Sequence, residues 1–372
     1  MKISSLVVHN FRNIEKAELG LSPVLNVFWG NNAQGKTSIL EAIYVGISGK
    51  SFRAYSPKKD WITNGKSSSS LILNLADRRG FEAQVELCTS DGKKWNALIN
   101  GKRASHHQIR SRVPIVAFSP EDHVLIRGSS DERRAFLDDL LSDVCPGYSE
   151  ALARFQKALK QRNQALKTHD RPSIHVWTEL LADSGVDLAQ LRRGIWEEFV
   201  QRFHEVMVGL FEKTPFRVDL SWKSNLASEE MSSKSAYNSV LESSLTVDLA
   251  LGWTRRGPHR DDLILEIDGQ DSRAQASQGQ ARLLALGLKW LHSEWLRRAR
   301  HEPPIFLIDD FSSELDEERR RTLIGRIREL EAQIFVSSTD ASTVDLAQFS
   351  DYTHYYVFKG FFDQKGTVKN DG

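Results

Sequence analysis

Cysteine is scarce in this sequence: the 372 residues include only two, Cys88 and Cys145, far apart. Two such residues supply neither the disulfide framework of a small secreted domain nor a four-cysteine zinc site, so a reducing cytoplasm is the expected compartment. Proline is also sparse, at 10 residues, and a 40% hydrophobic, 27% charged composition excludes collagen-like and disordered chains. No run approaches the roughly 18 uninterrupted apolar residues of a membrane span. His9, Asn10 and Arg12 break up the start before a signal-peptide core forms, so neither membrane insertion nor secretion is expected. A dominant charge is missing too, since 50 basic residues oppose 49 acidic ones for a net +1. What the sequence does have is segregation. Arg78 to Arg112 holds eight Lys or Arg against three acids, Arg154 to Arg171 six against one, and Glu121 to Glu150 eight acids against three bases. The chain is long enough for a full core and two lobes.

Periodicity divides the sequence into regions. Val24 to Trp29 reads as a strand, and Ile39, Leu40, Ile43 and Ile47 recur at helical spacing beyond a polar turn. Alternation over Phe81 to Asn100, with Asp91-Gly92 at its centre, predicts an antiparallel hairpin within a β-rich first quarter. From about Pro120 helices take over, the clearest running through Leu188, Leu191, Ile195, Phe199, Phe203, Val206 and Leu210. Ser221 to Ser244 is serine-rich and predicts a loop or mobile connection. A strand at 263–267, a helix at 280–300, a strand at 305–308, a helix at 317–330 and a strand at 334–338 follow. That alternation implies a mostly parallel sheet flanked by helices. No internal repeat is present, and no motif is recognised beyond Asp351.

Chemistry concentrates in a few short segments. Gly30-Asn31-Asn32-Ala33-Gln34-Gly35-Lys36-Thr37 fits the P-loop pattern and lies between a strand and a helix, as such a loop must. The glycines let backbone N–H groups wrap phosphates, Lys36 reaches the β and γ phosphates, and Thr37 offers a hydroxyl to Mg²⁺. ATP and Mg²⁺ are the expected cofactors. Ile305-Phe306-Leu307-Ile308-Asp309-Asp310 has the pattern of a Walker B strand, although taken alone it also reads as a buried strand running into a polar turn. Adjacent carboxylates repel unless a cation joins them. Mg²⁺ on Asp309, with Asp310 polarising an attacking water, removes the conflict. Ser277-Gln278-Gly279-Gln280 opens a helix and is, by itself, an ordinary N-cap. In the order P-loop, Ser-Gln-Gly-Gln, paired carboxylates, then Ser313-Glu314-Leu315-Asp316 as a D-loop, these segments match ABC-type ATPases. In such enzymes the signature serine and glycine of one subunit complete the γ-phosphate site of the other, so the site requires a dimer.

Together with Asn10-Phe11-Arg12-Asn13, Leu40-Glu41-Ala42-Ile43-Tyr44, Ser51-Phe52-Arg53, Phe118 to Asp122, Arg133-Arg134, Phe136-Leu137-Asp138, Lys160 to Asn163 and Gly257-Pro258-His259-Arg260-Asp261-Asp262, these motifs resemble the RecF family of bacterial recombination mediators. The resemblance runs from about Lys2 to about Asp340, and the segment from Gly257 to Asp262 is its most specific part. It implies an α/β, ABC-type P-loop ATPase head like that of SMC proteins, with a β-rich nucleotide-binding lobe and an inserted, mainly helical lobe in place of a long coiled coil. The expected division is 1–118 with 303–372 as the first lobe and 119–302 as the second. The resemblance further implies an ATP-dependent homodimer on DNA at gaps and double-strand/single-strand junctions, with RecR and RecO as partners and RecA loading as the outcome. By position it places Arg12, Asn13 and Thr339 near the nucleotide, Thr339 standing where transporters carry a sensor histidine. No glutamine corresponding to the ABC Q-loop is evident near Phe118 to Asp122, which leaves the relay of nucleotide state unassigned.

Two features keep two readings. Lys93, Lys94, Lys102 and Arg103, at or beside hairpin turns, serve either as contacts to DNA phosphates or as a solvated face. The segment His259 to Asp262 lacks a metal-ligand spacing and favours a structural or interface role. The expected function is a slow ATPase of DNA repair, Asp310 being one methylene shorter than the usual ABC glutamate. The alternatives are a nucleotide-binding DNA scaffold without meaningful hydrolysis and another SMC- or ABC-type ATPase.

Overall fold

The computed structural model describes residues 1–53, 56–77, 80–210, 216–311 and 317–369. Two compact units form, one from Met1–Asp122 with Leu288–Gly372 and the other from His123–Gly287. The helix Gln278–Arg300 belongs to both, so the division falls inside a continuous helix and not beyond its end.

Two six-stranded sheets build the first unit. One is antiparallel, in the order Ile14–Gly20, Lys2–Phe11, Ser69–Ala76, Glu82–Thr89, Asn96–Ile99, Lys102–Arg103. It contains the expected hairpin, with Val85 opposite Ile99 and Cys88 opposite Asn96. The other runs Phe361–Lys369, Asp351–Phe358, Leu25–Trp29, Ile334–Ser338, Ile305–Ile308, Ile115–Phe118, and is parallel except for its terminal hairpin. Strands 115–118, 305–308 and 334–338 are buried at every residue, as apolar strands covered on both faces must be. The helix Lys36–Ser48 is buried along most of its length, and Ile39, Leu40, Ile43 and Ile47 join residues of both sheets in one core.

Helices Ser130–Val144, Tyr148–Lys167, Arg171–Leu210 and Lys234–Ser243 dominate the second unit, with a small antiparallel sheet of Gln270–Asp271, Asp262–Ile267 and Val218–Lys223. At 40 residues the third helix begins well before the periodic run that marked it, because Ile174, Thr178, Leu181 and Ala182 continue its buried stripe. Asp170 starts it by accepting from the Ser173 amide at 3.3 Å. The serine-rich stretch is a loop only over 224–233, which holds the short 3-10 turn Glu229–Met231. Its first residues belong to the strand Val218–Lys223 and its last to the helix Lys234–Ser243, where the Ser233 hydroxyl caps the Ala236 amide and Tyr237 and Leu241, four residues apart, are buried. Over 234–243 serine composition hid a helix, because Ser233 is its cap and Ser235, Ser239 and Ser243 occupy its exposed face.

A buried charged network fills this unit. Arg162 and Asp248, both fully buried, are 2.9 Å apart, and Arg162 also donates to the hydroxyls of Thr178 and Thr254. Arg133 forks onto both oxygens of Asp262 at 2.8 and 2.9 Å, while Arg192 reaches Asp138, Tyr148 and Asp261. The family-specific segment therefore closes a scaffold. Its histidine accompanies it, with His259 Nε2 2.9 Å from the Thr254 carbonyl and Nδ1 unpartnered, which is the neutral tautomer with Nε2–H donating.

Burial lowers the His259 pKa from 6.5 to about 4. The folded state then binds fewer protons than the unfolded chain in that window, so stability must fall as pH falls through it. Going from pH 7 to pH 5 should cost about 2 kcal/mol, and His259→Gln should flatten this segment of the profile. Urea titrations at the two pH values check it; a parallel profile for the variant would assign the acid loss to other groups.

Candidate functional site

The site is assembled at the carboxyl ends of three adjacent parallel strands. Leu25–Trp29 leads into the loop 30–35, Ile305–Ile308 leads into Asp309 and Asp310, and Ile334–Ser338 lies between them. This middle strand explains a contact that the motifs alone did not reveal. Its Ser337 hydroxyl donates to Asp309 Oδ1 at 2.6 Å, and the Thr37 hydroxyl donates to the same oxygen at 2.8 Å. Asp309 is buried, and the loss of water raises its pKa despite the two hydroxyls and Arg53, which pull it down. Asp310 instead adopts a left-handed backbone, φ 49°, and its amide donates to Ser337 Oγ at 2.9 Å. The charge of Asp310 still adds to the rise in the Asp309 pKa.

Lys36 is 7% exposed and curls back, donating from Nζ to the carbonyls of Gly30 at 2.6 Å and Asn31 at 2.7 Å. Burial lowers its pKa, against the attraction of Asp310 and Asp309. Asn31, Asn32 and Ala33 are exposed at the tip of the loop. Gly30 has φ +145°, and a Cβ there would lie 2.5 Å from the Val357 carbonyl, so only glycine fits. Val357 belongs to the final hairpin, for which the sequence offered no motif. That hairpin's turn holds the loop from outside: the Lys359 amide donates to Gln34 Oε1 and the Gly360 amide to the Gln34 carbonyl, both at 2.8 Å. Alternating burial of Thr353, Tyr355 and Val357 was the available signal for this strand.

Arg12 and Asn13 adjoin the loop, with the Asn13 side chain 3.2 Å from where a Cβ on Gly35 would stand. The Arg12 guanidinium is committed to Glu41, donating at 2.7 and 3.0 Å, and to the Asp60 carbonyl at 2.8 Å. Glu41 lies one turn after Thr37 and is fully buried; it also pairs with Arg53 at 3.0 Å and accepts from Ser51 at 2.7 Å. Thus three family segments meet on one carboxylate, a role their sequence did not disclose. A groove of about 890 Å³ beside the loop is lined by Arg12, Asn13, Ser38, Lys59, Lys66 and Lys93, among others. Lys93, Lys94, Lys102 and Arg103 are all exposed, and Arg103 donates to Asn96 at 3.0 Å. Thr339 is exposed just past the end of its strand.

Ser277 and Gln280 belong to the second unit and form a reciprocal cap, the Gln280 amide donating to Ser277 Oγ at 3.2 Å and the Ser277 amide to Gln280 Oε1 at 2.8 Å. Ser277, Gln278 and Gly279 are exposed, and nothing approaches a Cβ position on Gly279 closer than 4.0 Å. The D-loop positions Ser313 and Asp316 lie outside the described residues. Among the described residues, no helix is long and apolar enough to cross a membrane.

A P-loop and a Walker B carboxylate pair on this sheet, with a capped Ser-Gln-Gly-Gln helix start in the second unit, define an ABC-type P-loop ATPase head of the SMC kind. The RecF/RecN/SMC N-terminal domain family model matches residues 2–359. A DNA replication and repair protein RecF of Geobacter metallireducens is 33% identical over 368 residues, covering 97% of this chain and 99% of its own. That of Listeria monocytogenes is 32% identical, covering 99% and 100%. The structure described as the recombination mediator protein RecF with ATP in the RecFOR pathway superposes with a TM-score of 0.87 at 28% identity, over 98% of each chain. The Smc head of Pyrococcus furiosus shares the fold, with a TM-score of 0.57 at 15% identity. The chain belongs to the RecF family.

Proposed function

We propose that this protein is a slow ATPase of recombinational DNA repair, in which ATP binding closes a homodimer on gapped or junction DNA and hydrolysis reopens it. The observation that carries the reading is the convergence of Thr37 and Ser337 on the buried Asp309 at the end of the P-loop sheet. A hydroxyl and a carboxylate form a hard-oxygen set suited to Mg²⁺, and the curled Lys36 holds a cation where phosphate charge would arrive. When bound, Mg²⁺·ATP supplies the phosphoanhydride to be cleaved and the charge that offsets the carboxylates.

Each group then has a role. Lys36 exchanges its loop carbonyls for phosphate oxygens, and the loop's exposed amides cradle the same charge. Thr37 and Asp309 hold the metal. Asp310 orients and deprotonates the attacking water. Thr339 lies beside the γ-phosphate end, and Arg12 and Asn13 flank the nucleoside side. Ser277 to Gln280, already capped, receive the phosphate held by a second copy. RecR and RecO are the proposed partners and RecA loading the outcome, in keeping with the family and with the RecFOR context of the similar structure. Lys94, Lys102 and Arg103 are the proposed DNA contacts; Lys93, on the groove beside the P-loop, is placed to serve nucleotide as well.

Asp310→Asn tests the chemistry. The variant should bind Mg²⁺·ATP within about twofold of wild type and hydrolyse it about 100-fold more slowly, because an amide is a poor base. Phosphate release with and without gapped DNA is the measurement. Equal rates for variant and wild type, with no stimulation by DNA, would leave a nucleotide-binding scaffold as the function.

A further inference from the structure

Phe118 to Asp122 lacks the glutamine that relays nucleotide state in ABC enzymes, yet the structure ties this segment to two parts of the machinery. Strand Ile115–Phe118 pairs in parallel with the Walker B strand, Phe118 opposite Ile308, and the Asp309 amide donates to the Phe118 carbonyl at 2.9 Å. The metal-binding carboxylate is therefore anchored through its own backbone to the start of the segment. The segment then closes into a turn, with the Ser119 amide donating to Asp122 Oδ2 at 2.8 Å and the Asp122 amide to the Ser119 carbonyl at 3.0 Å.

The other oxygen of Asp122 is gripped from a distant part of the chain. Lys289 Nζ donates to Asp122 Oδ1 at 2.5 Å and to the Ala117 carbonyl at 2.6 Å. Their side chains are 15% and 14% exposed, so the pair is largely shielded and its geometry is not that of an optional surface contact. Lys289 lies on the helix Gln278–Arg300, a little over three turns beyond Ser277. Beside it, Trp290 stacks on Phe306 of the Walker B strand, with ring centroids 5.9 Å apart. One continuous helix thus carries the signature serine at its start and, farther along, the lysine held by the turn that abuts Asp309.

We propose that Lys289 and Asp122 are positioning residues that supply the missing relay, coupling the state of the Asp309 site to the Ser277 end of this helix. The inference rests on the nucleotide-site assignment but not on dimerisation. A change in the Asp309 backbone moves the Phe118 carbonyl, the turn follows as a closed unit, and the ion pair passes the movement to the helix. This route runs through hydrogen bonds and one ion pair, so removing the charge at either end of its last link breaks it, while the Trp290–Phe306 stack stays in place.

Lys289→Met deletes the charge and keeps a stem of similar length, and Asp122→Asn keeps an acceptor for the Ser119 amide. Amide exchange at 277–287, measured on dilute monomer with and without Mg²⁺·ATP, should slow by about fivefold or more on nucleotide binding in the wild type. Each variant should lose that slowing while binding ATP within about twofold of wild type, and the double variant should be no worse than either single one. Variants that keep the slowing overturn the relay. Variants that lose it together with ATP affinity reduce the pair to a structural brace and also overturn it. A wild type whose exchange ignores ATP overturns it outright. If the wild type responds but sedimentation shows no ATP-dependent dimer, the composite site fails and the relay stands.

Discussion

Lys36→Met should abolish useful nucleotide binding, lowering ATP affinity by at least about 100-fold with little loss of stability. Two charge-assisted hydrogen bonds of Lys36, now made to the Gly30 and Asn31 carbonyls, are the bonds a phosphate would inherit. Each such bond is worth about 1.5–3 kcal/mol, so losing both reaches that factor. Folding is spared because burial already disfavours this ammonium, as its lowered pKa records. Methionine matches the stem without the charge. Calorimetric titration with Mg²⁺·ATP is the measurement, with thermal melting as the control for folding; full affinity in a folded variant would remove the loop from the site.

Ser277→Arg should leave ATP binding by the monomer intact and raise the dissociation constant of the ATP-bound dimer by about 100-fold or more. The serine is exposed at a helix start, and the helix behind it is intact without a partner. An arginine there puts bulk and a flexible chain where the second copy of the proposed dimer would approach. Loss of the cap alone costs about 1 kcal/mol and has no reason to depend on nucleotide. Sedimentation velocity with ATP and with ADP separates these effects. A wild-type share of dimer with a slightly lower melting temperature would make Ser277 a cap and nothing more.

The site was legible wherever chemistry imposes spacing. A phosphate-binding loop needs glycines and a lysine at fixed offsets, so residues 30–37 announced themselves, as did the apolar strand ending at Asp309 and Asp310. Ser337 did not, because a serine at a strand end is ordinary until the topology sets that strand between the other two. Glu41 was hidden for a related reason: its meaning comes from Arg12 and Arg53, which reach it from different segments. Parallel order is set by crossovers and not by local pattern, so strands 305–308 and 334–338 were readable while their neighbours were not. The serine-rich stretch misled because composition was weighed above the buried pair Tyr237 and Leu241.

The strand that carries the P-loop has neighbours only from the far end of the chain, 334–338 on one side and 351–358 on the other, and Gly360 closes over Gln34. On the ribosome, residues 25–37 are made long before the strands that wall them. Until those strands follow, the nucleotide motif has no sheet to stand on. Such sequence-distant pairing folds slowly. The delay also means that a chain stopped short of 334 lacks both strands that flank its P-loop strand.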